Sequence, residues 1–321
     1  MTTSTGSQPV KGRSRTLAQQ EQRQAYRLLA IPILILIILI LFPFVWNIVL
    51  SFQELRLIDL GDLSLRNLTF TLDNYAKVLG ARGFGELLRT TVIYAVFGTI
   101  LPIVLGLIAA LLAREPFRGR QLFRGVLLFP YIAPIVAVTL VWKTMLNAQF
   151  GIINVWLQNI FGMQPISFLS TRSLPIEFLG LEFKWPVALT MVILFQGWRY
   201  FPFAFLFYLA RLQALPEDLY EAGKIDGATL TQRFFRITLP QLGAVTAALV
   251  LLRFIWTFNK FDDIFLLTGG AAGTNVITVQ IYNYLFGLSN VGAASALSIV
   301  LAAILAVLLF VYFRWFYIEE G

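Results

Sequence analysis

The chain has 321 residues, of which 58% are hydrophobic and 13% charged, and its formal net charge is +8. Soluble domains average about 45–50% apolar and about 25% charged residues, so this composition indicates a polytopic membrane protein. Cysteine and histidine are both absent, which excludes disulfides, thiolate metal sites and histidine general bases. These absences weigh against a membrane-embedded hydrolase or metalloenzyme, although a carboxylate-based enzyme remains open.

The positive charge is better explained by membrane topology than by nucleic-acid binding. Basic residues flank apolar runs instead of forming one stripe, which is the pattern that the positive-inside rule produces. We therefore expect membrane lipid, and no nucleic acid, among the partners of this chain.

The amino-terminal segment, 1–25, is polar and rich in Thr, Ser, Gln and Arg, which is typical of a disordered cytosolic tail. The apolar run that follows, at about 28–51, has no small-residue cleavage site. It is long enough to cross a hydrocarbon core of roughly 30 Å, at about 1.5 Å per residue. We expect it to be an uncleaved first span, and residues 26–321 to form one transmembrane domain.

Five further apolar runs predict an all-α protein with six transmembrane helices. They lie at about 90–112, 125–146, 186–209, 243–266 and 291–313. With both termini in the cytosol, fourteen Lys and Arg residues fall on the cytosolic side and seven on the opposite side. In membrane proteins the cytosolic connections carry the excess of Lys and Arg residues. The excess of fourteen over seven therefore predicts that both termini lie in the cytosol.

Two longer connections on the opposite side, at about 52–89 and 147–185, carry mixed charge and many Trp, Phe and Leu residues. We expect short interfacial helices in both. Residues 72–80 predict one such helix, with Asp73 as its cap and Gly80 at its end.

The cytosolic connection before the fifth span, 211–242, is rich in helix signals. Pro216 suits a first helical turn, and Gly227 suits a helix end in the left-handed conformation. Thr229 predicts the cap of a second helix, which Pro240 would end where the fifth span begins. The connection therefore predicts a short helix, a turn and a second helix.

The exposed side of the first of these helices is expected to be smooth. Ala222 and Gly223 are small and would let another surface approach the backbone, while Glu221 and Asp226 flank them as charged contacts. Docking against a partner protein is one interpretation of this pattern. The alternative is an amphipathic helix that lies on the membrane surface.

Three short motifs follow one another in this connection: Glu221-Ala222-Gly223, Asp226-Gly227-Ala228 and Ile237-Thr238-Leu239-Pro240. Together, and at this spacing, they resemble the cytoplasmic signature of permease subunits of binding-protein-dependent bacterial ABC importers. Residues 117–134 and 261–287 are similar to the carbohydrate-uptake branch of that family. The resemblance covers about 28–318.

The resemblance implies that the first helix is a coupling helix, which docks in a groove of a cytosolic ATPase subunit. Carried over position by position, it assigns ATPase coupling to Glu221, Ala222, Gly223, Asp226, Gly227 and Pro240. Gly223 departs from the alanine that is usual at its position, and Gly243 stands where relatives often carry proline. Both departures bear on the geometry of the helices.

The resemblance also implies a set of partners. Since the chain lacks a GxxxxGK[ST] phosphate loop, two separate ATPase subunits would hydrolyse ATP with its Mg²⁺. The chain itself would be no enzyme and would bind no cofactor or metal. In the bacterial inner membrane it would form half of a pathway beside a second permease subunit. An extracytoplasmic binding protein would deliver a sugar, oligosaccharide or related polyol compound.

Candidates for the substrate pathway are polar and aromatic groups in or beside spans, because ionisable groups in a bilayer usually face water or the protein interior. They are Trp198, Arg199, Asn259, Lys260 and Asp263. Trp198 is suited to stacking on a sugar ring, and Arg199 or Asn259 to hydrogen-bonding hydroxyls. The alternative is that Lys260 pairs with Asp262 or Asp263 and only anchors its helix.

Other function classes remain open from the sequence. A secondary transporter driven by an ion gradient would tend to bury carboxylates or histidines within its spans, whereas the acidic residues here lie almost wholly in connections. A membrane enzyme would need a catalytic constellation, and none rises above chance. An ABC permease for peptides, amino acids or anions is a third alternative, against which the similarity at 261–287 argues.

Overall fold

The computed structural model describes residues 17–62, 68–178 and 180–319. The chain divides into two compact units, Met1–Leu50 and Ser51–Gly321.

The first unit is a long helical segment that ends at the start of the second. It consists of α1 (Leu17–Leu36), a π-helical turn (Ile37–Leu41) and α2 (Phe42–Ser51). Its apolar part, Tyr26–Ser51, has a mean hydropathy of 3.2 and is long enough to cross a membrane. Of the predicted tail, residues 1–16 lie outside the described residues, whereas 17–25 belong to α1.

The second unit is also mainly helical. In chain order its α-helices are α3 (Asp73–Leu79), α4 (Phe84–Arg114), α5 (Arg120–Ile132), α6 (Ile135–Met145), α7 (Ile152–Phe161), α8 (Val187–Gln213), α9 (Asp218–Ile225), α10 (Leu230–Arg233), α11 (Leu239–Gln241), α12 (Gly243–Phe258), α13 (Asp262–Thr268), α14 (Ile277–Tyr282) and α15 (Val291–Glu319). A 3-10 turn (Leu57–Asp62) precedes α3, and π-helical turns follow α10 (Phe234–Thr238) and α14 (Asn283–Gly287).

A β-hairpin interrupts the helical pattern between α7 and α8. Its strands β1 (Leu174–Phe178) and β2 (Leu181–Trp185) pair antiparallel, with Leu174 opposite Trp185. The all-α prediction therefore misses this hairpin, while the short helices predicted for the two long connections are present as α3 and α7. Asp73 is the first residue of α3 and not its cap, since Leu72 occupies the cap position.

Four helical segments of the described chain are each long and apolar enough to cross a membrane: Tyr26–Ser51, α4, α8 and Val291–Arg314 within α15. Two bent pairs raise the number to six if each pair is one span. They are α5 with α6, bent by 94°, and α10–α11 with α12, bent by 62°. The predicted spans 90–112 and 291–313 each lie within one helix, and 186–209 does so from Val187 onward.

The prediction of one continuous helix over 125–146 is wrong, because α5 and α6 are separated by a sharp break. Pro134 has no N–H to donate, and a proline pushes the residue before it towards extended backbone. Ala133 accordingly has φ −61° and ψ 142°. The apolar run continues across this break, so hydropathy alone does not reveal it.

The predicted span 243–266 is likewise not one helix, since α12 ends at Phe258 and α13 begins at Asp262. Local side chains hold the break. The Asn259 amide donates to the Ile255 carbonyl at 2.8 Å, and the Thr278 hydroxyl donates to the Lys260 carbonyl at 2.6 Å. The Ile255 carbonyl also accepts from the Asn259 backbone nitrogen at 3.3 Å, and the Thr278 bond ties the break to α14.

Small residues let α4 and α8 pack closely at the centre of the second unit. A Cβ atom added to Gly106 would lie 2.6 Å from the Cβ of Ala204 and 2.7 Å from the backbone nitrogen of Phe205. Small residues at such crossings let helix backbones approach in a membrane protein. Around this crossing, Tyr208 and Leu249 are almost fully buried and join α8 and α12 in one hydrophobic cluster.

Candidate functional sites

The connection between α8 and α12 folds as the sequence predicts at its turn. Gly227 follows α9 with φ +74°, a conformation that favours glycine. Thr229 caps α10 in a capping box: its hydroxyl accepts from the Gln232 backbone nitrogen at 3.2 Å, and its own nitrogen donates to the Gln232 side chain at 2.8 Å. Both predicted signals are confirmed.

Gly223, in contrast, does not lie on the outward side of α9. A Cβ atom at Gly223 would sit 3.2 Å from Cδ1 of Ile237 and 3.5 Å from Cδ of Arg233. The expectation that it forms an exposed smooth patch with Ala222 is therefore wrong. Its small size lets α9 pack against the second half of its own connection, while Ala222 stays exposed.

Pro240 does not end the second helical stretch. Helical backbone runs through Pro240 to Gln241, and the 62° bend into α12 follows at Leu242, which is fully buried. A π-helical turn precedes the proline, with the Leu239 nitrogen bonded to the Phe234 carbonyl. The prediction thus places the break two residues too early.

The same connection exposes several large apolar side chains. Leu219 on α9 is 41% exposed, Ile225 at the end of α9 is 87% exposed and Leu230 on α10 is 78% exposed. Glu221 and Asp226 are exposed as well. Exposed apolar side chains beside charged ones are a common feature of protein interaction surfaces.

A buried polar cluster lies where α8, α12 and α13 meet. Asp263 is fully buried, and the Tyr200 hydroxyl donates to its Oδ1 at 3.3 Å. The Gln196 amide is oriented so that its nitrogen donates to Asp263 Oδ2 and its oxygen accepts from Arg253 at 2.8 Å. A buried charge is tolerated when it is paired and hydrogen-bonded in this way.

Cations surround the Tyr200 ring within the same cluster. Its centroid lies 4.4 Å from the Arg253 guanidinium and 4.9 Å from Lys260 Nζ, at distances typical of cation–π contacts. Lys260 Nζ also lies 2.9 Å from Asp262 and 3.9 Å from Asp263. The pairing expected for Lys260 in the anchoring interpretation is therefore present.

Two of the predicted pathway residues are engaged in packing within the bundle. Arg199 is 8% exposed and donates to the carbonyls of Pro130 at 3.0 Å and Ala133 at 3.1 Å. It thereby caps the carboxyl end of α5, where a cation is favourable. Trp198 packs against Trp142 with ring centroids 5.7 Å apart.

The other candidates lie at or beside an open cavity of about 470 Å³. Asn259 and Lys260 line it, and Asp263 is buried behind them. Sequence reasoning missed four aromatic lining residues, among them Tyr131 on α5 and Trp256 on α12; the others are Tyr200 and Phe261. An aromatic residue close to a break in an apolar run is the signal that points to Tyr131 and Trp256.

The described residues contain no group of three or more acidic side chains placed to hold a metal ion. A cavity with aromatic walls and polar groups in its lining, set between α5, α8 and α12 of a chain with several membrane-length helices, is suited to holding a solute. Fold and site thus define a membrane transport component.

The comparison with known proteins specifies the class further. The family model described as "Binding-protein-dependent transport system inner membrane component" matches residues 102–318, and the chain belongs to this family. Members of this family are inner-membrane components of transport systems, so they are transport permeases and not catalytic enzymes.

Similar proteins include the inner membrane ABC transporter permease protein YcjO of Escherichia coli (strain K12), which is 35% identical over 267 residues, 82% of this chain and 84% of YcjO. The trehalose/maltose transport system permease protein MalF of Thermococcus litoralis is 34% identical over 278 residues, 84% of this chain and 89% of MalF. A chain of a bacterial ABC transporter involved in the import of alginate, an acidic polysaccharide, has the same fold. Its TM-score is 0.74 at 22% identity, with 94% of this chain and 98% of that chain covered.

Proposed function

We propose that this chain is the permease subunit of an ABC importer for a sugar, oligosaccharide or related polyol compound. The observation that carries the solute class is the cavity between α5 and α12. The rings of Tyr131 and Trp256 offer apolar faces to a sugar ring, while Asn259 and Lys260 offer hydrogen-bond donors to its hydroxyls. The transport system named for trehalose and maltose in a 34% identical relative supports the same class.

The proposed topology has six spans and cytosolic termini. Each bent pair counts as one span, which agrees with the excess of basic residues in the connections assigned to the cytosol. The chain then forms half of a pathway beside a second permease subunit. An extracytoplasmic binding protein delivers the solute, and two ATPase subunits supply ATP hydrolysis with Mg²⁺.

We assign the docking of the ATPase subunit to the outward side of α9. Glu221, Ala222 and Asp226 are exposed there, next to Ile225. Gly223 supports this surface from behind by letting the second half of the connection pack close. Gly227 and Pro240 shape the connection. ATP-driven movement of a groove around α9 would shift the connection as a rigid body and repack the spans.

Co-purification tests this assignment. The chain is co-expressed with the neighbouring permease and ATPase subunits as wild type, as Ala222→Glu and as Ile225→Glu. A carboxylate forced into a closed apolar contact carries a desolvation cost, so both variants should retain the second permease but lose the ATPase. Gln121→Glu, an exposed position on α5, serves as the matched control and should retain every subunit.

The alternative function has a distinct outcome. If the purified wild-type chain binds no ATPase and still moves solute into vesicles under an ion gradient, the protein is a secondary transporter. If the assembled complex imports amino acids or peptides and no sugar in proteoliposomes, the carbohydrate class is wrong while the ABC assignment stands.

A further inference from the structure

A charged side chain at the end of α4 contacts the proposed coupling helix. Arg114 is the last residue of α4, and its guanidinium carbon lies 4.1 Å from the centroid of the Tyr220 ring on α9. The hydroxyl of Tyr220 is hydrogen-bonded to Thr238 at 3.1 Å. Tyr220 therefore contacts both the end of α4 and the second half of its own connection.

The end of α4 is in turn tied to α5 and α8. Arg124 on α5 donates to the Ala113 carbonyl at 2.8 Å, and Arg120 donates to the Arg114 carbonyl at 3.4 Å. The Gln213 amide oxygen, at the end of α8, accepts from Arg124 at 3.0 Å. Cations placed on the last carbonyls of a helix stabilise that end. Side-chain hydrogen bonds thus link the carboxyl ends of α4 and α8 to the beginning of α5.

The same helix reaches the buried polar cluster. Tyr94 on α4 is almost fully buried, and its hydroxyl lies 3.1 Å from the Gln196 side chain. At about 1.5 Å per residue, the 31 residues of α4 span roughly 46 Å. Arg114 and Tyr94 therefore lie on the same helix, and Gln196, the partner of Tyr94, lines the proposed solute cavity.

We propose that the contact between Arg114 and Tyr220 transmits movement of α9 to α4 and α5. Both are positioning residues, since neither contacts ATP or solute. This inference rests on the proposed function and adds the route by which α9 acts on the pathway. A route of this kind requires a measured coupling as well as spatial contact.

The test follows the end of α4 by the distance between two spin labels in the complete complex. The chain contains no native cysteine, so single cysteines at Leu112 on α4 and Val307 on α15 can be labelled, with cysteine-free partner subunits. Both positions are more than 60% exposed. The distance distribution is recorded without nucleotide and with ATP and EDTA, which allows binding without hydrolysis.

In wild type, ATP should shift the distance, and the shifted population is the readout. Arg114→Gln and Tyr220→Leu should each lower the ratio of shifted to unshifted complexes roughly two- to tenfold, as expected for loss of one cation–π contact. The double variant should match the single variants. Arg114→Lys and Tyr220→Phe, which keep the cation and the ring, should restore the shift. Arg118→Gln is the matched control.

Three results would overturn the inference. The first is an ATP-induced distance shift in Arg114→Gln that equals that of wild type. The second is a double variant in which the population losses of the two single variants multiply. The third is loss of the ATPase from Arg114→Gln complexes, which would assign the contact to docking. Failure of the proposed function looks different, because the wild-type chain would then not assemble with an ATPase at all.

Discussion

The crossing of α4 and α8 gives a quantitative prediction through Gly106. In Gly106→Ala the new Cβ would lie 2.6–2.9 Å from three atoms of the facing helix, two of them backbone atoms. Carbon atoms in contact prefer about 3.5–4.0 Å, so the helices must separate by roughly 1 Å. Overpacking of this kind costs about 1–3 kcal/mol, and the better helix propensity of alanine returns at most about 1 kcal/mol. With the full propensity gain, the net loss is about 0–2 kcal/mol.

Gly85→Ala is the matched control, because Gly85 lies in the same helix and a Cβ there would meet nothing within 4 Å. This substitution should stabilise the protein by up to about 1 kcal/mol. The assay is the thermal midpoint of the detergent-purified complex, followed by size-exclusion chromatography after heating. A Gly106→Ala midpoint equal to or above that of Gly85→Ala would refute the close packing on which the estimate depends.

Three further predictions concern the bundle. Arg199→Gln should destabilise the protein by about 1.5–3 kcal/mol, since the carbonyls at the α5–α6 break lose a charged donor. The measurement is the thermal midpoint, and an unchanged midpoint would contradict this prediction. Asp263→Leu should lower the free energy of unfolding by about 3–5 kcal/mol in an unfolding titration, because the buried cations beside it lose their counter-charge. A smaller loss of unfolding free energy in Asp263→Leu than in Asp263→Asn would contradict this reason. Trp256→Ala should leave subunit assembly intact. It should raise the half-saturating sugar concentration in proteoliposome uptake roughly two- to tenfold. Uptake curves equal to those of wild type would show that Trp256 does not contact the solute.

Local signals in the connection before α12 were readable because they act within a few residues. Gly227 takes a backbone conformation that favours glycine, and Thr229 closes a capping box with a residue three positions away. The outward or inward direction of Gly223 was not readable. It depends on where Ile237 and Arg233 return after the turn, and spacing within α9 carries no information about that.

Breaks within apolar runs were missed for a related reason. Hydropathy measures the length of a run and not its direction, so the extended backbone at Ala133 leaves no trace in it, although Pro134 marks the position. The cavity combines Tyr131 from α5 with Trp256 from α12, more than a hundred residues apart in the chain. Packing of distant helices brings them together, which no local pattern predicts.

The capping of the α5–α6 break by Arg199 has a consequence for the permeability barrier. Carbonyl groups released where a helix breaks inside a membrane must find partners, and ordered water is a frequent one. Here the guanidinium takes the carbonyls of Pro130 and Ala133 directly. With the guanidinium bound to them, neither of these carbonyls needs a water at the bend. Arg199 therefore removes these carbonyls as water-binding sites at the point where α5 and α6 bend.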